Sequence, residues 1–306
     1  MNRVATALFA LLVTVPAMTH GQGPASTAQK AVLVTGASTG IGRKITERLA
    51  AAGYLVYAGA RKDTDLQALG AIKNVQALRL DVTKQTEIDA AMALVTKGGR
   101  GLYALVNNAG VATDGPLLET SMEEFELIMA VNVYGPYRMT RACAPLIVAQ
   151  RGRVINIGSI SGILNETGAG AYQMSKHAIE TFTDTLAQEL APSGVQVSVV
   201  EPGSYKSDIV KNEVKRTGAG SKYLDFWATL KEPDEVAAAV ELALSEPKAK
   251  RRYMVVPEDD QARVTIEALI EQLVQLNEGQ RYTYDRATLI KMLDAALATA
   301  RPRTKN

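Results

Sequence analysis

Three side chains that can do acid–base chemistry stand near the middle of the chain, namely Ser159, Tyr172 and Lys176. Tyr172 and Lys176 are four residues apart in a helical pattern, so they share one helix face. A fixed ammonium favours the phenolate form and lowers a phenol pKa that is ordinarily about 10. Such a phenol can exchange a proton with a substrate oxygen, which the Ser159 hydroxyl can hydrogen-bond. The alternative is a packed tyrosine and a solvated lysine on an ordinary helix.

A glycine-rich turn, Gly36-Ala37-Ser38-Thr39-Gly40-Ile41-Gly42, separates a predicted strand from a predicted helix. Its glycines suit a backbone that turns tightly and approaches a pyrophosphate, and the helix N-terminus supplies free N–H groups to the anion. The turn therefore predicts a dinucleotide site. Its spacing, G-x-x-x-G-x-G, departs from the usual G-x-G-x-x-G, and the alternative is a purely structural turn.

Two cations, Arg61 and Lys62, follow the second predicted strand, Leu55 to Ala60. In dinucleotide folds this place, about 20 residues past the glycines, holds an acid when the ribose 2′-hydroxyl is free. Cations would instead pair with a 2′-phosphate, so the pair predicts NADP(H) in preference to NAD(H). The alternative is a solvated pair that Asp63 and Asp65 balance.

The rest of the chain alternates between apolar strand patterns and helical patterns. Strands are predicted at 31–35, 55–60, 75–80, 102–107, 154–157 and 195–200, and helices at 43–52, 86–97, 171–190 and from 121 toward 149 with an interruption at Gly135-Pro136. This alternation predicts an α/β fold, a Rossmann-type doubly wound parallel sheet with helices on both faces. Ser159 then lies just past a strand's carboxyl end, where such sheets present reactive groups.

The domain organisation follows from composition and helical periodicity. A single domain is predicted over 30–256. Helical patterns occur at 233–244, 258–276 and 285–300, and the last two form a predicted helical extension at 257–306. Residues 1–23 have the order of a secretory signal, and 24–29 form a polar leader that we expect to be disordered. Two alternatives compete for the first segment: a membrane anchor through 1–18, or a cytosolic protein whose synthesis starts at Met18. Localisation therefore stays open.

Composition narrows the possible chemistry. The chain has 306 residues, a net charge of +2 with scattered cations, one cysteine and two histidines. We therefore expect no nucleic-acid partner and interpret the basic run 248–252 as a solvated loop. One cysteine excludes an internal disulfide framework, and two histidines are too few for a zinc site with nearby Cys or His ligands, so no metal is expected. Proton transfer then falls to tyrosine, lysine and carboxylates.

These residues together resemble the short-chain dehydrogenase/reductase family. The resemblance covers roughly residues 30 to 256 and rests on motifs in the family's order and spacing: Thr35-Gly36-Ala37-Ser38-Thr39-Gly40-Ile41-Gly42, Asn107-Asn108-Ala109-Gly110, Asn132, Ser159, Tyr172-x-x-x-Lys176 and Pro202-Gly203. It implies an NAD(P)-dependent oxidoreductase that acts on a small-molecule carbonyl or alcohol. A homo-oligomer is also expected.

The resemblance also implies roles for individual residues. Tyr172 would donate or accept the proton, Lys176 would lower its pKa and hold the nicotinamide ribose, and Ser159 would polarise the carbonyl. Asn132 would fix a helix kink and a water in the proton relay. Further cofactor contacts are expected from the glycine turn and from Asp81, Val82, Asn107, Asn108, Ala109, Pro202, Gly203 and Ser207. The family often has Thr where Ser207 stands, a departure that keeps the hydroxyl.

A narrower resemblance, to the hydroxysteroid/retinol dehydrogenase-like branch, rests on the runs at 80–83 and 201–207. The segment 204–230 would cover the substrate and carries Tyr205, Tyr223, Leu224, Phe226 and Trp227. These side chains favour an apolar substrate of some bulk, of steroid, retinoid or similar type, with Tyr205 in contact with it. The alternative is a lid that packs on the domain's own surface.

Two other classes of protein remain as alternatives. Gly36-Ala37-Ser38-Thr39-Gly40 also matches the G-x-S-x-G turn of serine hydrolases. The only downstream histidine, His177, however lies on the predicted helix of Tyr172 and Lys176. The second alternative is a non-catalytic NADP(H)-binding sensor or scaffold, against which the intact Ser, Tyr and Lys argue.

Overall fold

The computed structural model describes residues 29–218 and 224–299. The strands are β1 (Ala31–Val34), β2 (Leu55–Ala60), β3 (Val75–Arg79), β4 (Ala104–Asn107), β5 (Arg153–Ile157), β6 (Gln196–Pro202) and β7 (Arg252–Val255). The helices are α1 (Gly40–Ala51), α2 (Asp63–Gly70), α3 (Gln85–Lys97), α4 (Met122–Met129), α5 (Gly135–Ala149), α6 (Gly170–Leu190), α7 (Ile209–Thr217), α8 (Leu224–Thr229), α9 (Asp234–Ser245), α10 (Asp259–Asn277) and α11 (Arg286–Thr299). The predicted signal segment 1–23, residues 24–28 of the leader and Tyr223 lie outside the described residues.

The seven strands form one parallel sheet in the order β3-β2-β1-β4-β5-β6-β7. The strand order reverses between β1 and β4, which makes this the point where doubly wound folds open a crevice for a ligand. The central strands are buried on both faces, which explains their nearly continuous apolar sequences. The predicted fold class is confirmed.

Hydrophobic side chains pack on both faces of the sheet. One core holds Ile45 and Leu49 of α1 together with Val240 of α9. The other holds side chains of α3 and α5, among them Ile88 and Met139. Because helices cover both faces, the strand ends and the loops that follow them are left as the open edge where a site can form.

The predicted interruption at Gly135-Pro136 is wrong. A π-helical turn, Ala130–Tyr134, joins α4 directly to α5, and Pro136 lies in the first turn of α5. Pro136 has no N–H to donate to the preceding turn, and its ring crowds the carbonyl four residues earlier, which is that of Asn132. The irregularity therefore falls one turn earlier, at the residues around Asn132.

The C-terminal helices α10 and α11 are present as predicted. The described residues contain no helix both long and apolar enough to cross a membrane. The basic run 248–252 is not simply the solvated loop that we expected, because Arg252 opens β7 and pairs with Glu180 and Asp184 of α6. The domain boundaries stay predictions.

Candidate active site

An open cleft runs along the carboxyl ends of the strands. At one end lie Arg61 and Asp81, and at the other lie Ser159, Tyr172 and Lys176. The cleft is also lined by residues from every loop that the sequence singled out, namely Gly36, Ser38, Thr39, Gly40, Ile41, Gly42, Val82, Asn108, Ala109, Pro202, Gly203 and Ser207. The cleft therefore connects the predicted dinucleotide turn to the predicted acid–base residues.

The glycine turn is packed so closely that side chains are excluded. Gly36 and Gly40 have φ values of +64° and +53°, in the left-handed region that favours glycine. A Cβ atom on Gly42 would lie 2.2 Å from the carbonyl oxygen of Gly36, and one on Gly36 would lie 2.8 Å from the Cα of Ala109. Backbone conformation or close packing therefore requires glycine at all three positions, although their spacing differs from the usual G-x-G-x-x-G fingerprint.

Asn108 and Ala109 are tied to the glycine turn through Thr35. The Thr35 hydroxyl oxygen accepts from the main-chain N–H groups of both residues at 3.0 Å. Asn108 Nδ2 also donates to the carbonyl oxygens of Thr35 and Gly36, at 2.9 and 3.1 Å. These bonds hold the loop after β4 against the turn after β1.

Asn107 does not line the cleft, which corrects its expected role as a cofactor contact. Its side chain is buried and its Nδ2 donates to Asn156 Oδ1 at 2.9 Å and to Thr140 Oγ1 at 3.2 Å. Because Asn107 and Asn156 are paired in register on adjacent strands, their side chains face each other inside the fold. Asn107 therefore fixes β4 to β5 rather than contacting a ligand.

The cationic end of the cleft contains Arg61 but not Lys62. Arg61 lines the cleft, whereas Lys62 is exposed outside it, ahead of α2. Asp63 does not balance either cation, since it pairs with Arg79, whose other guanidinium nitrogen donates to the Arg61 carbonyl at 2.6 Å. The contribution of Arg79 to this end of the cleft was not predicted from the sequence. Its position at the end of β3, the strand next to β2, could have indicated it.

Asp81 presents an ionised carboxylate at this end. Burial acts to raise its pKa, but hydrogen bonds from the N–H and hydroxyl of Thr83 and the charge of Arg61 together lower it. The two Thr83 bonds measure 3.0 and 2.7 Å and orient the carboxylate. The cleft is therefore polar at one end, with a free cation beside a fixed anion.

Ser159, Tyr172 and Lys176 converge at the other end, as predicted from their spacing. All three residues line the cleft, the Ser159 hydroxyl is near enough to the Tyr172 phenol to affect its pKa, and the Lys176 Nζ lies 5.5 Å from the phenol ring centre. Lys176 is buried and donates to the carbonyl oxygen of Ile157, the last residue of β5, at 2.9 Å. Strand β5 therefore fixes the lysine and also delivers the serine.

The pKa of Tyr172 differs from the expectation. Burial raises it to about 12, and the hydrogen bond from Ser159 opposes this only in part. Lys176 was expected to lower this pKa, but desolvation of the phenolate dominates because the phenol is partly buried against the cleft wall. The structure therefore holds Tyr172 as a neutral phenol, the form that donates a proton.

The pKa of Lys176 is lowered to about 8 by burial, and the negative charge of Glu180 opposes this shift. Lys176 is thus still mostly an ammonium ion at neutral pH, but its pKa lies only a little above that pH. Glu180 lies one helical turn beyond Lys176 on α6 and was not singled out from the sequence, although its four-residue spacing could have indicated it.

Asn132 lies in the π-helical turn and not in the cleft lining, where its neighbour Val131 is found. Its amide donates to the Val111 carbonyl and to Ser175 Oγ, both at 2.9 Å, and accepts from the Val111 N–H at 2.9 Å. Asn132 therefore joins the helix that carries Tyr172 to a loop of the cleft. Its proposed part in a water relay stays a prediction.

The expectation for Tyr205 is wrong. This side chain is 2% exposed, packs in the hydrophobic core and directs its hydroxyl to Glu235 of α9. Phe226 and Trp227 pack edge to face at 6.3 Å and do not line the cleft, and Tyr223 lies outside the described residues. The cleft is instead lined from this segment by Ser207, Asp208, Ile209 and Asn212.

The lining therefore fits a dinucleotide, which would be held by the glycine turn at its pyrophosphate, by Arg61 and Asp81 at its adenosine end, and by Tyr172 and Lys176 at its nicotinamide end. Helix α1 begins at Gly40 and its N-cap residue Thr39 makes no side-chain capping bond, so N–H groups of the first helical turn are left for an anion. Across the described part of the chain no cluster of His, Cys, Asp and Glu could hold a metal ion.

In the part of the chain that the structure describes, no histidine stands beside Ser38 to serve the hydrolase alternative as a base. Ser38 lines the cleft, but His177 does not, and its Nδ1 bonds the Gln173 carbonyl of its own helix at 3.1 Å. His20 lies outside the described residues. The geometry therefore favours chemistry at Tyr172 over chemistry at Ser38.

Comparison with known proteins agrees with this geometry. The family model described as short chain dehydrogenase matches residues 30–218, more than half of the chain. The chain belongs to the short-chain dehydrogenase family. This confirms the resemblance stated from the motifs, and the relatives described next are named as dehydrogenases or reductases.

Two similar relatives illustrate the range within the family. The chain is 38% identical over 186 residues to mitochondrial D-beta-hydroxybutyrate dehydrogenase from Bos taurus, covering 58% of this chain and 54% of the relative. It is 37% identical over 188 residues to retinol dehydrogenase 5 from Mus musculus, covering 60% and 58%. The chain thus spans little more than half the length of these relatives.

Solved structures share the fold over longer stretches. A short-chain dehydrogenase from Streptomyces avermitilis has a TM-score of 0.69 and 32% identity, covering 90% of this chain and 100% of its own. A serine dehydrogenase complexed with NADP+ has a TM-score of 0.69 at 29% identity, covering 74% and 94%. A 3-ketoacyl-(acyl-carrier-protein) reductase from Brucella melitensis complexed with NADH has a TM-score of 0.66 at 27% identity, covering 74% and 96%. Family members therefore use either nicotinamide cofactor.

Proposed function

We propose that this protein is an NADP(H)-dependent oxidoreductase that interconverts a carbonyl and an alcohol. The observation that carries the proposal is that the buried Lys176 places its Nζ 5.5 Å from the Tyr172 ring centre, with Ser159 beside them in the cleft lining. All three residues line a cleft that extends to Arg61. A serine, a phenol and an ammonium around one point are suited to a substrate oxygen that gains or loses a proton.

In the proposed reaction each residue has one task. A bound nicotinamide supplies the hydride for reduction or accepts it in oxidation. Tyr172 donates its phenolic proton to the substrate oxygen in reduction, which suits its raised pKa of about 12. Ser159 donates a hydrogen bond to the same oxygen and stabilises its developing charge. Lys176 provides the positive charge that balances the phenolate left after proton transfer.

The preference for NADP(H) is supported by the charge at the adenosine end. Arg61 lines the cleft and makes no ion pair among the described residues, because Arg79 takes up Asp63. A free guanidinium can bind a 2′-phosphate with charge-assisted hydrogen bonds. Lys62 is exposed and is not among the residues that line the cleft, so it is given no part in this preference.

We propose a substrate with an apolar body, as the sequence favoured, but bound by different residues. Val111 and Ile209 line the cleft at its substrate end, together with the polar Asn212. Helix α7, which carries Ile209, is held in place by Arg216, whose Nε bonds Glu124 at 2.8 Å and whose Nη2 bonds the Ala112 carbonyl at 2.6 Å.

The test follows NADPH absorbance with a panel of steroid, retinoid, aromatic and small polar carbonyls. Oxidation of NADPH with the bulky apolar members supports the full proposal. Turnover confined to small polar ketones would contradict the apolar substrate, and equal efficiency with NADH would contradict the cofactor preference. Tight NADPH binding without turnover of any carbonyl would favour the sensor or scaffold alternative. A homo-oligomer and membrane association through residues 1–18 stay predictions.

A further inference from the structure

A stripe of ionisable side chains continues along α6 beyond the proposed acid–base residues. Tyr172, Lys176, Glu180 and Asp184 follow at four-residue intervals, so neighbours in the series lie one turn apart on the same side of the helix. The series starts in the cleft and ends at a half-exposed carboxylate. The reaction proposed above uses only the first two residues and leaves the buried Glu180 without a task.

Glu180 belongs to a buried cluster with Glu201 and Arg252. Glu201 is 2% exposed and stands on β6 immediately before the Pro202-Gly203 turn of the cleft. Arg252 Nε lies 3.1 Å from Glu180 Oε2 and 3.5 Å from Glu201 Oε1, while its two terminal nitrogens bond the Asp184 carboxylate at 3.1 and 2.7 Å. Both glutamate carboxyls therefore lie beside the same guanidinium nitrogen.

The charges of this cluster do not balance if both glutamates are ionised. Three carboxylates, those of Glu180, Glu201 and Asp184, would then face two cations, Lys176 and Arg252. Two buried carboxylates beside one guanidinium nitrogen repel each other, and each has one oxygen, Oε1, without a hydrogen-bond partner among the described residues. One proton between Glu180 and Glu201 supplies a missing donor and brings the cluster to zero net charge.

We propose that Glu180 and Glu201 share one proton, and that the single negative charge they keep positions Lys176 as an ammonium ion; this inference rests on the proposed function. The pair is a positioning unit, since Glu180 lies one helical turn from Lys176, both glutamates lie beside Arg252, and neither lines the cleft. A Cβ atom on Gly158 would lie 3.0 Å from Glu180 Oε1, so the carboxyl also packs under the segment that leads to Ser159.

The titration of the cluster agrees with its geometry. Burial, with the charge of Glu180 next, raises the pKa of Glu201 to about 8, and Arg252 opposes this. Burial also raises the pKa of Glu180, which the hydrogen bond from Glu201 and the charge of Arg252 oppose. Glu201 therefore carries the proton and Glu180 the charge. Asp184 adds repulsion to both glutamates, and Glu180 raises the pKa of Lys176.

Infrared spectroscopy tests the shared proton without any need for turnover. The wild-type protein at neutral pH should show a protonated-carboxyl C=O band above the amide I region, which shifts in D₂O. Glu201→Gln should remove this band, whereas Glu267→Gln, a change at an exposed ion pair of α10, should leave it intact. A wild-type spectrum without the band, or a band that survives in both Glu201→Gln and Glu180→Gln, would overturn the proposal.

Kinetics of carbonyl reduction test the positioning role. Glu180→Gln should lower kcat at neutral pH by about tenfold for each unit that the Lys176 pKa falls below the assay pH, with little change in KM. The loss should be recovered as the pH is lowered, since acid restores the ammonium, whereas a merely structural defect would persist. Glu201→Gln keeps an amide donor toward Glu180 and should lower kcat less than Glu180→Gln does. Equal losses at every pH would overturn the role.

Two outcomes separate this inference from the proposed function. If the wild-type protein turns over no carbonyl but shows the band, the function fails while the shared proton stands. If Glu180→Gln does not fold, as judged by circular dichroism, the infrared band and the pH profile of Glu201→Gln decide the case.

Discussion

The Nζ of Lys176 donates to the main-chain oxygen of Ile157 at 2.9 Å, so the last residue of β5 holds the lysine of α6. Ser159 follows Ile157 by two residues, and thus one strand end positions both the hydroxyl and the ammonium. This contact explains why a lysine on a long helix can be buried near the cleft without reaching the solvent.

Replacement of Lys176 by methionine should lower kcat for carbonyl reduction by about 10²- to 10⁴-fold, the range of an acid–base contribution. The fold should persist, because burial already disfavours the lysine charge and methionine keeps the apolar stem. Steady-state kinetics and thermal unfolding measure the two effects. Lys206→Met, a change at an exposed pair with Glu232, is the control and should keep wild-type kinetics. Near-normal kcat in Lys176→Met would contradict the role of the ammonium.

Arg61→Asp should weaken NADPH binding by about 10- to 100-fold, the effect of losing a hydrogen bond between charged groups, and should move preference toward NADH. Titration of both cofactors by fluorescence measures the change. Lys62→Asp is the matched control, because Lys62 is the neighbouring cation outside the cleft and should alter the ratio little. Unchanged preference in Arg61→Asp would rule out the assignment.

Gly42→Ala should abolish cofactor binding or destabilise the fold by more than about 1–3 kcal/mol, the usual cost of overpacking. The added methyl group would lie 2.2 Å from the Gly36 oxygen and 2.3 Å from Asn108 Nδ2. Gly70→Ala, where nothing lies within 4 Å, should instead stabilise α2 slightly. Urea unfolding and NADPH titration of both variants compare the two sites. Normal binding by Gly42→Ala would mean that the turn is not the close-packed cradle described above.

The stability of the protein should fall as pH rises from about 4.5 to about 8 in part because of Glu201. Its pKa rises from 4.5 to about 8 on folding. The folded protein therefore binds more protons in this window, and the stability that this supplies is present below pH 4.5 and lost as pH rises through 8. Urea unfolding at several pH values measures the slope, which should be flatter in Glu201→Gln. Parallel slopes in the two proteins would show that Glu201 ionises normally.

The fold and the proposed acid–base group could be predicted because they depend on local patterns. Strand and helix periodicity gave the parallel sheet, and the four-residue spacing of Tyr172 and Lys176 placed them on one helix face. Tyr205 was misassigned because its sequence position, after the Pro202-Gly203 turn, does not reveal that its hydroxyl turns inward to Glu235. An aromatic residue in a lid segment packs inward as readily as it faces a ligand.

Features that depend on contacts between residues far apart in the sequence could not be predicted from the sequence. Arg252 was interpreted as part of a solvated loop, because only the folded sheet brings it beside Glu180 and Glu201. The pKa of Tyr172 was expected to fall, since spacing reveals the nearby lysine but not the extent of desolvation. Burial, a property of the whole cleft, decides that direction.

The most direct test of the central claim is the rate of NADPH oxidation with an accepted carbonyl, compared between the wild-type protein and Tyr172→Phe. Phenylalanine keeps the ring and removes the proton that we propose is transferred. We predict a loss of kcat of at least about 10²-fold, with NADPH binding retained in a fluorescence titration. A Tyr172→Phe protein that binds NADPH and reduces the carbonyl at nearly the wild-type rate would contradict the account.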